Sequence, residues 1–417
     1  MVETAGNQEK RFEAGNGHYL MVLVSMSCLM MASLGLAYKL QGLFFAPVAS
    51  DLGVGRGQVS MMLTILNLTS ALAGLLVARL LQKWPLKAVI LAGAVCLAGS
   101  TALLSLGKNL AVMYLLSALQ GLGAGIVGAV TVTTVLGGWF RARRSLVMSI
   151  AFGGSGIAGA LLAPVVSHAI DAAGWRSGYL VSAALTAALC LPALLLPVKL
   201  TPEEAGFSPY GADSHTEKHG APSAALGQPV SGAAAIILAY AAIVGFSTAL
   251  THHFPGFADS VGLPVEVGAL MVSVCMLVNT AGKVVLGWLT DRIGLRASTL
   301  AFLAAALLGS ALLLLVPAAP AVYVAAGLIG CVFALVTVSV SALVRAVFGS
   351  GGYGDVYPKA NLASTLGSAL GVTFVGFSYD ATGGYSYILY GLCAMLAACL
   401  AAIAYLLRGR SGAPRAA

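Results

Sequence analysis

At 417 residues, 59% hydrophobic and only 9% charged, the chain is too apolar for a water-soluble domain, where charged residues make up roughly 25%. Lys and Arg number 22 against 14 Asp and Glu, yet these cations punctuate apolar runs instead of forming one solvated patch, which argues against a nucleic-acid binder. Cys28, Cys96, Cys190, Cys275, Cys331, Cys393 and Cys399 all lie inside apolar runs with no CxxC or His/Cys cluster, so neither a disulfide framework nor a metal site is expected.

Roughly twenty apolar residues make a helix that crosses the hydrocarbon core. Runs of that kind predict twelve such helices, helix 1 to helix 12, near 19–47, 58–80, 86–106, 109–137, 145–171, 177–197, 231–257, 265–289, 297–317, 319–347, 354–380 and 385–407. Lipid offers the backbone no hydrogen-bond partners, so these runs are helices and not loops. The tail at 1–18 carries Glu3, Glu9, Lys10, Arg11 and Glu13 and lacks the pattern of a cleaved signal peptide, so the first run is kept as a helix. Residues 198–230 are the one long polar stretch and read as a cytoplasmic linker between a six-helix bundle at 19–197 and a second at 231–407, with a tail at 408–417. The expected fold is an all-α membrane protein of two pseudo-symmetric six-helix bundles.

Sixteen of the 22 cations fall on the side of the termini, three on the other side (Arg56, Lys108, Arg176) and three inside the runs. That asymmetry predicts a multi-pass protein of the cell membrane with both termini cytoplasmic. Trp84, Trp139, Trp175 and Trp288 all fall at helix ends, where indoles favour the membrane interface. An internal echo supports two halves: Asp171-Ala-Ala-Gly174-Trp-Arg-Ser177 returns as Asp380-Ala-Thr-Gly383-Gly-Tyr-Ser386, and repeated halves around a midplane site are a transporter architecture.

Between helices 8 and 9 lies Gly287-Trp-Leu-Thr-Asp291-Arg292-Ile-Gly294-Leu-Arg296. A glycine there lets two helices approach, Asp291 can cap or pair, and the arginines can bind carboxylates or lipid phosphates. The string resembles the loop signature of the major facilitator superfamily, while its counterpart Gly74-Leu-Leu-Val-Ala78-Arg79 has alanine where that family places aspartate. Within the superfamily the chain resembles the monocarboxylate porters and the bacterial oxalate/formate exchangers. The resemblance is carried by Phe45-Ala-Pro47-Val-Ala-Ser-Asp51-Leu-Gly53 with Arg56 and Ser60, by Gly138-Trp-Phe140 with Arg143-Arg144, by Gly174-Trp175-Arg176, and by Tyr379-Asp380-Ala-Thr-Gly383-Gly-Tyr385.

Three lysines lie inside the runs: Lys39 in helix 1, Lys283 in helix 8 and Lys359 in helix 11, with no Asp or Glu deep in any span. A charge at the centre of a membrane helix costs roughly 2.5 to 3.5 kcal/mol, so an electropositive cavity that receives an anion is the expectation, set against lysines that snorkel to the headgroups. Lys359 follows Asp355 by four residues, a spacing at which the two can neutralise each other. The resemblance implies that Lys39, ahead of the Phe44-Phe45 pair, contacts the substrate carboxylate. It also implies that Lys283 stands where related carriers have arginine. Tyr38, Asn67, Asn279 and Tyr357 are further substrate-binding candidates, Asn279 because it lies one turn before Lys283; the alternative for each is interhelical hydrogen bonding. His252-His253, before Pro255, are read as ending helix 7 on the outer side, either as inert interfacial residues or as proton sensors.

The expected function is secondary transport of small organic anions by alternating access, with monocarboxylates such as lactate or pyruvate, or oxalate/formate exchange, as cargo. No catalytic residue, cofactor or nucleic acid is implied; membrane lipids and, as a candidate co-substrate, protons are the partners, and a monomer is expected. Two rivals stay open: a cation or drug/proton antiporter, which needs buried acids, and a carboxylate sensor that does not transport.

Overall fold

The computed structural model describes residues 12–13, 16–141, 143–211, 232–315 and 318–408; most of the tails at 1–18 and 408–417 and the later part of the linker, 212–231, lie outside them. Among the described residues ten helices are long and apolar enough to cross a membrane. Two of these, Leu146–Leu195 and Glu266–Leu315, run 50 residues each, about 75 Å at 1.5 Å per residue, more than twice the roughly 30 Å hydrocarbon core. Each is divided. Gly174 (φ 81°) separates helix 5 from helix 6 and Gly294 (φ 85°) separates helix 8 from helix 9, a backbone conformation that glycine reaches without a Cβ clash. Divided at these glycines, the two long helices give four segments, with helix 2 at Arg56–Lys83, helix 3 at Leu86–Leu104 and helix 12 at Ser386–Leu406.

The halves meet along three helix pairs: helix 1 with helix 7, helix 2 with helix 11, and helix 5 with helix 8. Small residues allow the approach. Gly156 and Gly159 of helix 5 face Thr280 and Met276 of helix 8, and Gly57 of helix 2 faces Gly376 and Phe377 of helix 11. The glycine strings at 121–125 pack against helices 2 and 3, with Leu66, Leu97 and Ser70 as neighbours, which is close helix packing.

The start of the linker is folded onto the first half. Phe207–Ser208 pairs in parallel with Phe12–Glu13, Tyr210 N–H donates to the Trp139 carbonyl at 2.8 Å, and Tyr19 Oη donates to the Ser208 carbonyl at 2.8 Å. This corrects the reading of all four tryptophans as interfacial. Trp84 and Trp288 are exposed, but Trp139 and Trp175 are buried, because their indole N–H groups donate to the Lys199 carbonyl and to Asp51.

Candidate functional site

Helices 1, 4, 7 and 10, the first of each consecutive set of three, are interrupted. Helix 1 runs Asn16–Met30, widens to a π-helix over Met31–Lys39, breaks at Leu40–Gln41 and resumes as Gly42–Leu52. Helix 7 runs Ala233–Ala249, tightens to a 3-10 turn over Leu250–His253 and continues as Phe254–Ser260. Helix 4 breaks at Gly128, between Leu110–Val127 and Ala129–Trp139. Helix 10 breaks at Cys331 and carries a π-helix over Leu335–Ser339. The breaks of helices 1 and 7 face each other, with Gly42 against the His252 carbonyl and no room for a side chain; away from the other breaks, Gln41 Nε2 donates to Gln120 Oε1 of helix 4 at 2.9 Å, and Tyr240 of helix 7 bonds Ser339 of helix 10 at 3.0 Å. Broken membrane helices recur where transporters bind substrate, since unwound backbone is tolerated only inside protein or beside a cavity.

Lys39 closes the π segment of helix 1. Its ammonium does not snorkel to lipid; it crosses to the other half and sits 3.7 Å from the centroid of the Phe333 ring on helix 10. Lys283, half-buried on helix 8, interacts electrostatically with it as a like charge. Neither ammonium lies within 4.0 Å of a carboxylate of any described residue. A desolvated cation–π contact is worth about 2 kcal/mol, which offsets part of the roughly 2.5–3.5 kcal/mol cost of one central charge and leaves Lys283 without a partner. His252 belongs to the same neighbourhood: it is buried in the break of helix 7, where Lys39 acts on it electrostatically. Helix 7 therefore continues past both histidines to Ser260, and their placement at its outer end is corrected.

The remaining predicted residues are not drawn into this cluster. Lys359 is exposed on helix 11 and forms no ion pair with Asp355 within 4.0 Å, so the i, i+4 pairing that stood as the alternative to a cavity role is not made. Tyr357 stacks on Tyr353 with ring centroids 4.9 Å apart. Asn67 Nδ2 donates to the Leu63 carbonyl of its own helix at 2.8 Å. Asn279 is buried in the seam between helices 5 and 8 beside Gly156, its Oδ1 without a hydrogen-bond partner. Tyr38 neighbours Ser70 of helix 2. In the loop between helices 8 and 9, Gly287 has open space where a Cβ would stand, which corrects the expectation of a close approach there. Arg292 stacks on Trp288 at 4.5 Å, and Asp291 is exposed while Arg296 is half-exposed.

At the end of the bundle opposite the linker, the halves are tied together. Arg56 donates to Asp259 of helix 7 at 2.5 Å and to the Gly256 carbonyl at 3.0 Å, with its guanidinium 4.3 Å from the Tyr379 ring. The Asp380 carboxylate accepts from the backbone N–H groups of Arg56 and Gly57, both at 2.8 Å, so a residue of one half caps a helix of the other. Two turns deeper Thr64 bonds Thr373 at 2.7 Å and the Ala369 carbonyl at 2.6 Å. Beside them Asp51 accepts from Trp175 and from Arg176 at 3.1 and 2.9 Å. Among the described residues no side-chain hydrogen bond joins the halves at the linker end. Arg56, Asp51, Trp175, Arg176, Tyr379 and Asp380 stand in the motif segments of the sequence without marking this role, and the position of Phe333 depends on the register between halves and leaves no mark in the sequence.

The model of the Major Facilitator Superfamily matches residues 27–372. The chain belongs to the major facilitator superfamily. Among its relatives are monocarboxylate transporter 11 of Homo sapiens, 30% identical over 74% of this chain and 66% of that protein, and monocarboxylate transporter 12-B of Danio rerio, 30% identical over 49% of this chain and 47% of that protein. An uncharacterized MFS-type transporter of Bacillus subtilis (strain 168) is 25% identical over 66% of each chain. The match spans about half the length of the monocarboxylate transporter 12 relatives. The fold also matches solved structures. These include the nucleoside transporter NupG, with a TM-score of 0.69 at 16% identity over 93% of this chain and 99% of that one, and a peptide transporter, with a TM-score of 0.68 at 13% identity over 97% and 99%. Superfamily relatives of this kind are transporters, not enzymes.

Proposed function

We propose that the chain is a secondary transporter that moves small organic carboxylates across a cell membrane by alternating access. The observation that carries this reading is the pair Lys39 and Lys283: two ammonium groups on helices of opposite halves, at the level of the helix breaks, with no acid of the described residues to neutralise them. A carboxylate that bridges them relieves their mutual repulsion and supplies the missing counterion, and it contacts both halves, which is what a cargo must do to be handed from one access state to the other. The relatives named monocarboxylate transporters support the cargo class. With the termini cytoplasmic, this state is sealed at the outer face by the Arg56 cluster, and Lys359, exposed toward the linker side, raises the local concentration of anions at the inner mouth. A cation antiporter needs buried acids at the same place, and the two lysines oppose it.

The test is counterflow of labelled lactate, pyruvate, oxalate or formate in proteoliposomes. The expected result is trans-stimulated uptake of at least one of the four by the wild type. Replacing both Lys39 and Lys283 by glutamine is expected to lower it more than a hundredfold. Wild-type counterflow in that double variant would sink the proposal, and specific binding without flux would favour a sensor.

A further inference from the structure

We propose that His252 is the proton-binding site of this carrier, protonated when a carboxylate occupies Lys39 and Lys283 and deprotonated when the carboxylate leaves. This rests on the anion reading above, takes the proton as co-substrate, and adds the group that holds it.

The geometry singles out this imidazole. His252 lies in the 3-10 turn that breaks helix 7, its carbonyl packed on Gly42 at the break of helix 1. The residue is 6% exposed, and its Nδ1 is buried without a hydrogen-bond partner. An unpartnered polar atom in such a place is costly, so it persists where another state of the protein fills it. Its neighbour is different: His253 holds the Val372 carbonyl of helix 11 through Nε2 at 2.9 Å and is flanked by the rings of Phe45 and Tyr385. That leaves His252 as the histidine whose bonding is incomplete.

The charged and titratable groups around the pair come from every side. Helix 1 contributes Lys39, which acts on His252 directly, and His253 is the other group acting on it from its own helix. From helix 8, Cys275 faces Lys39. Arg56 of helix 2 and Tyr385 lie beside His253, and helix 11 presents the neutral Val372 carbonyl to it, with Tyr379 behind Arg56 and Tyr385. Asp259 pairs with Arg56, but no carboxylate of a described residue lies within 4.0 Å of Lys39 or Lys283. With the anion site empty, a proton on His252 would be a further positive charge beside Lys39 and Lys283. A bound monocarboxylate removes one unit of that charge and makes room for the proton.

By linkage the effect is reciprocal: if the anion raises the proton affinity of His252 by some factor, the proton raises anion affinity by the same factor. The step balances simply. A proton leaves bulk water or buffer, an N–H bond forms at Nδ1, and that bond breaks after the halves rock and the carboxylate departs on the other side. One monocarboxylate and one proton cross together, and no net charge moves.

The experiment measures protons carried per lactate in proteoliposomes that contain the full chain and a trapped pH-sensitive dye, with protein-free vesicles subtracting lactate that diffuses as the acid. The wild type is expected to carry about one proton per lactate and His252→Gln close to none, a ratio that can be read at whatever rate the variant retains. His253→Gln is expected to keep the wild-type ratio. An unchanged ratio in His252→Gln overturns the assignment, as does a wild type that moves lactate with no proton. In those cases the Lys39 and Lys283 reading stands if the lysine double variant still loses lactate counterflow, so the two failures are distinct. If His252→Gln does not fold, lactate binding to the wild type is measured calorimetrically in two buffers of different ionisation enthalpy. Proton uptake on binding supports the proposal, and its absence overturns it.

Discussion

The Lys39 ammonium spends the anion-free state on the Phe333 ring at 3.7 Å, so an arriving carboxylate competes with that ring for the same charge. Phe333→Leu removes the cation–π contact and keeps most of the apolar volume. About 2 kcal/mol of lost stabilisation in the free state is expected to lower the melting temperature of the anion-free protein and to tighten carboxylate binding by roughly thirtyfold. Titration of the purified variant checks both, and weaker binding would mean that the ring helps to hold the anion. A second residue-scale expectation concerns Asp51. Hydrogen bonds from Arg176 and then Trp175 hold its carboxyl below the ordinary carboxylate range. A depressed carboxylate adds stability that is complete above its unfolded-state value and fades as pH falls through the folded value. Asp51→Asn is therefore expected to melt below the wild type at pH 7, and the gap is expected to narrow as the buffer is taken into and below the carboxylate range. Lys39 and Lys283 were legible in the sequence because a charge in an apolar run stands out against its neighbours. Phe333 was not, since a phenylalanine in an apolar run says nothing about which ammonium it faces.

At the scale of elements, the breaks in helices 1, 4, 7 and 10 and the seal opposite the linker make a pair of opposed demands. The seal must hold the present state and still open in each cycle. Arg56 supplies two charge-assisted bonds and a ring contact, and Asp380 caps helix 2 from the other half; bonds to charged groups contribute about 1.5–3 kcal/mol each. Asp380→Asn is expected to shift the population toward the state open at that end by roughly tenfold, read as increased labelling of cysteines introduced on the linker-distal surface of helices 1 and 7. Unchanged labelling would mean that the cap does not hold the present state closed as argued. Gly42→Val is expected to separate helix 1 from helix 7, because a side chain there meets the His252 carbonyl, and to abolish transport while the rest of the helical structure persists, checked by circular dichroism beside counterflow. Helix existence was readable from apolar run length, and the breaks within helices were not. Only Gly128 and the His-His-Phe-Pro string carry local signals, whereas the π-helices at Met31–Lys39 and Leu335–Ser339 are written in ordinary apolar residues and arise from packing between helices. The folding of 198–211 onto the first half was likewise hidden, because its partners, Trp139 and Tyr19, are distant in sequence.

For the whole molecule, the twofold echo seen between Asp171–Ser177 and Asp380–Ser386 becomes two bundles that meet along helices 1 and 7, 2 and 11, and 5 and 8. The two echo segments do related work at the same end: Trp175 and Arg176 bind Asp51 within one half, while Asp380 binds the start of helix 2 across the halves. Among the described residues the side-chain hydrogen bonds between the halves lie at this end, so a carboxylate is expected to reach the lysine pair from the linker side. The measurement that bears most directly on this account is thermal melting of the purified protein against a panel of lactate, pyruvate, oxalate and formate at constant ionic strength. A ligand that binds only the folded state stabilises it by about RT ln(1 + [L]/Kd). The account predicts that at least one of the four raises the melting temperature of the wild type in a saturable way and leaves the Lys39→Gln, Lys283→Gln double variant unmoved. An equal rise in both proteins would contradict it.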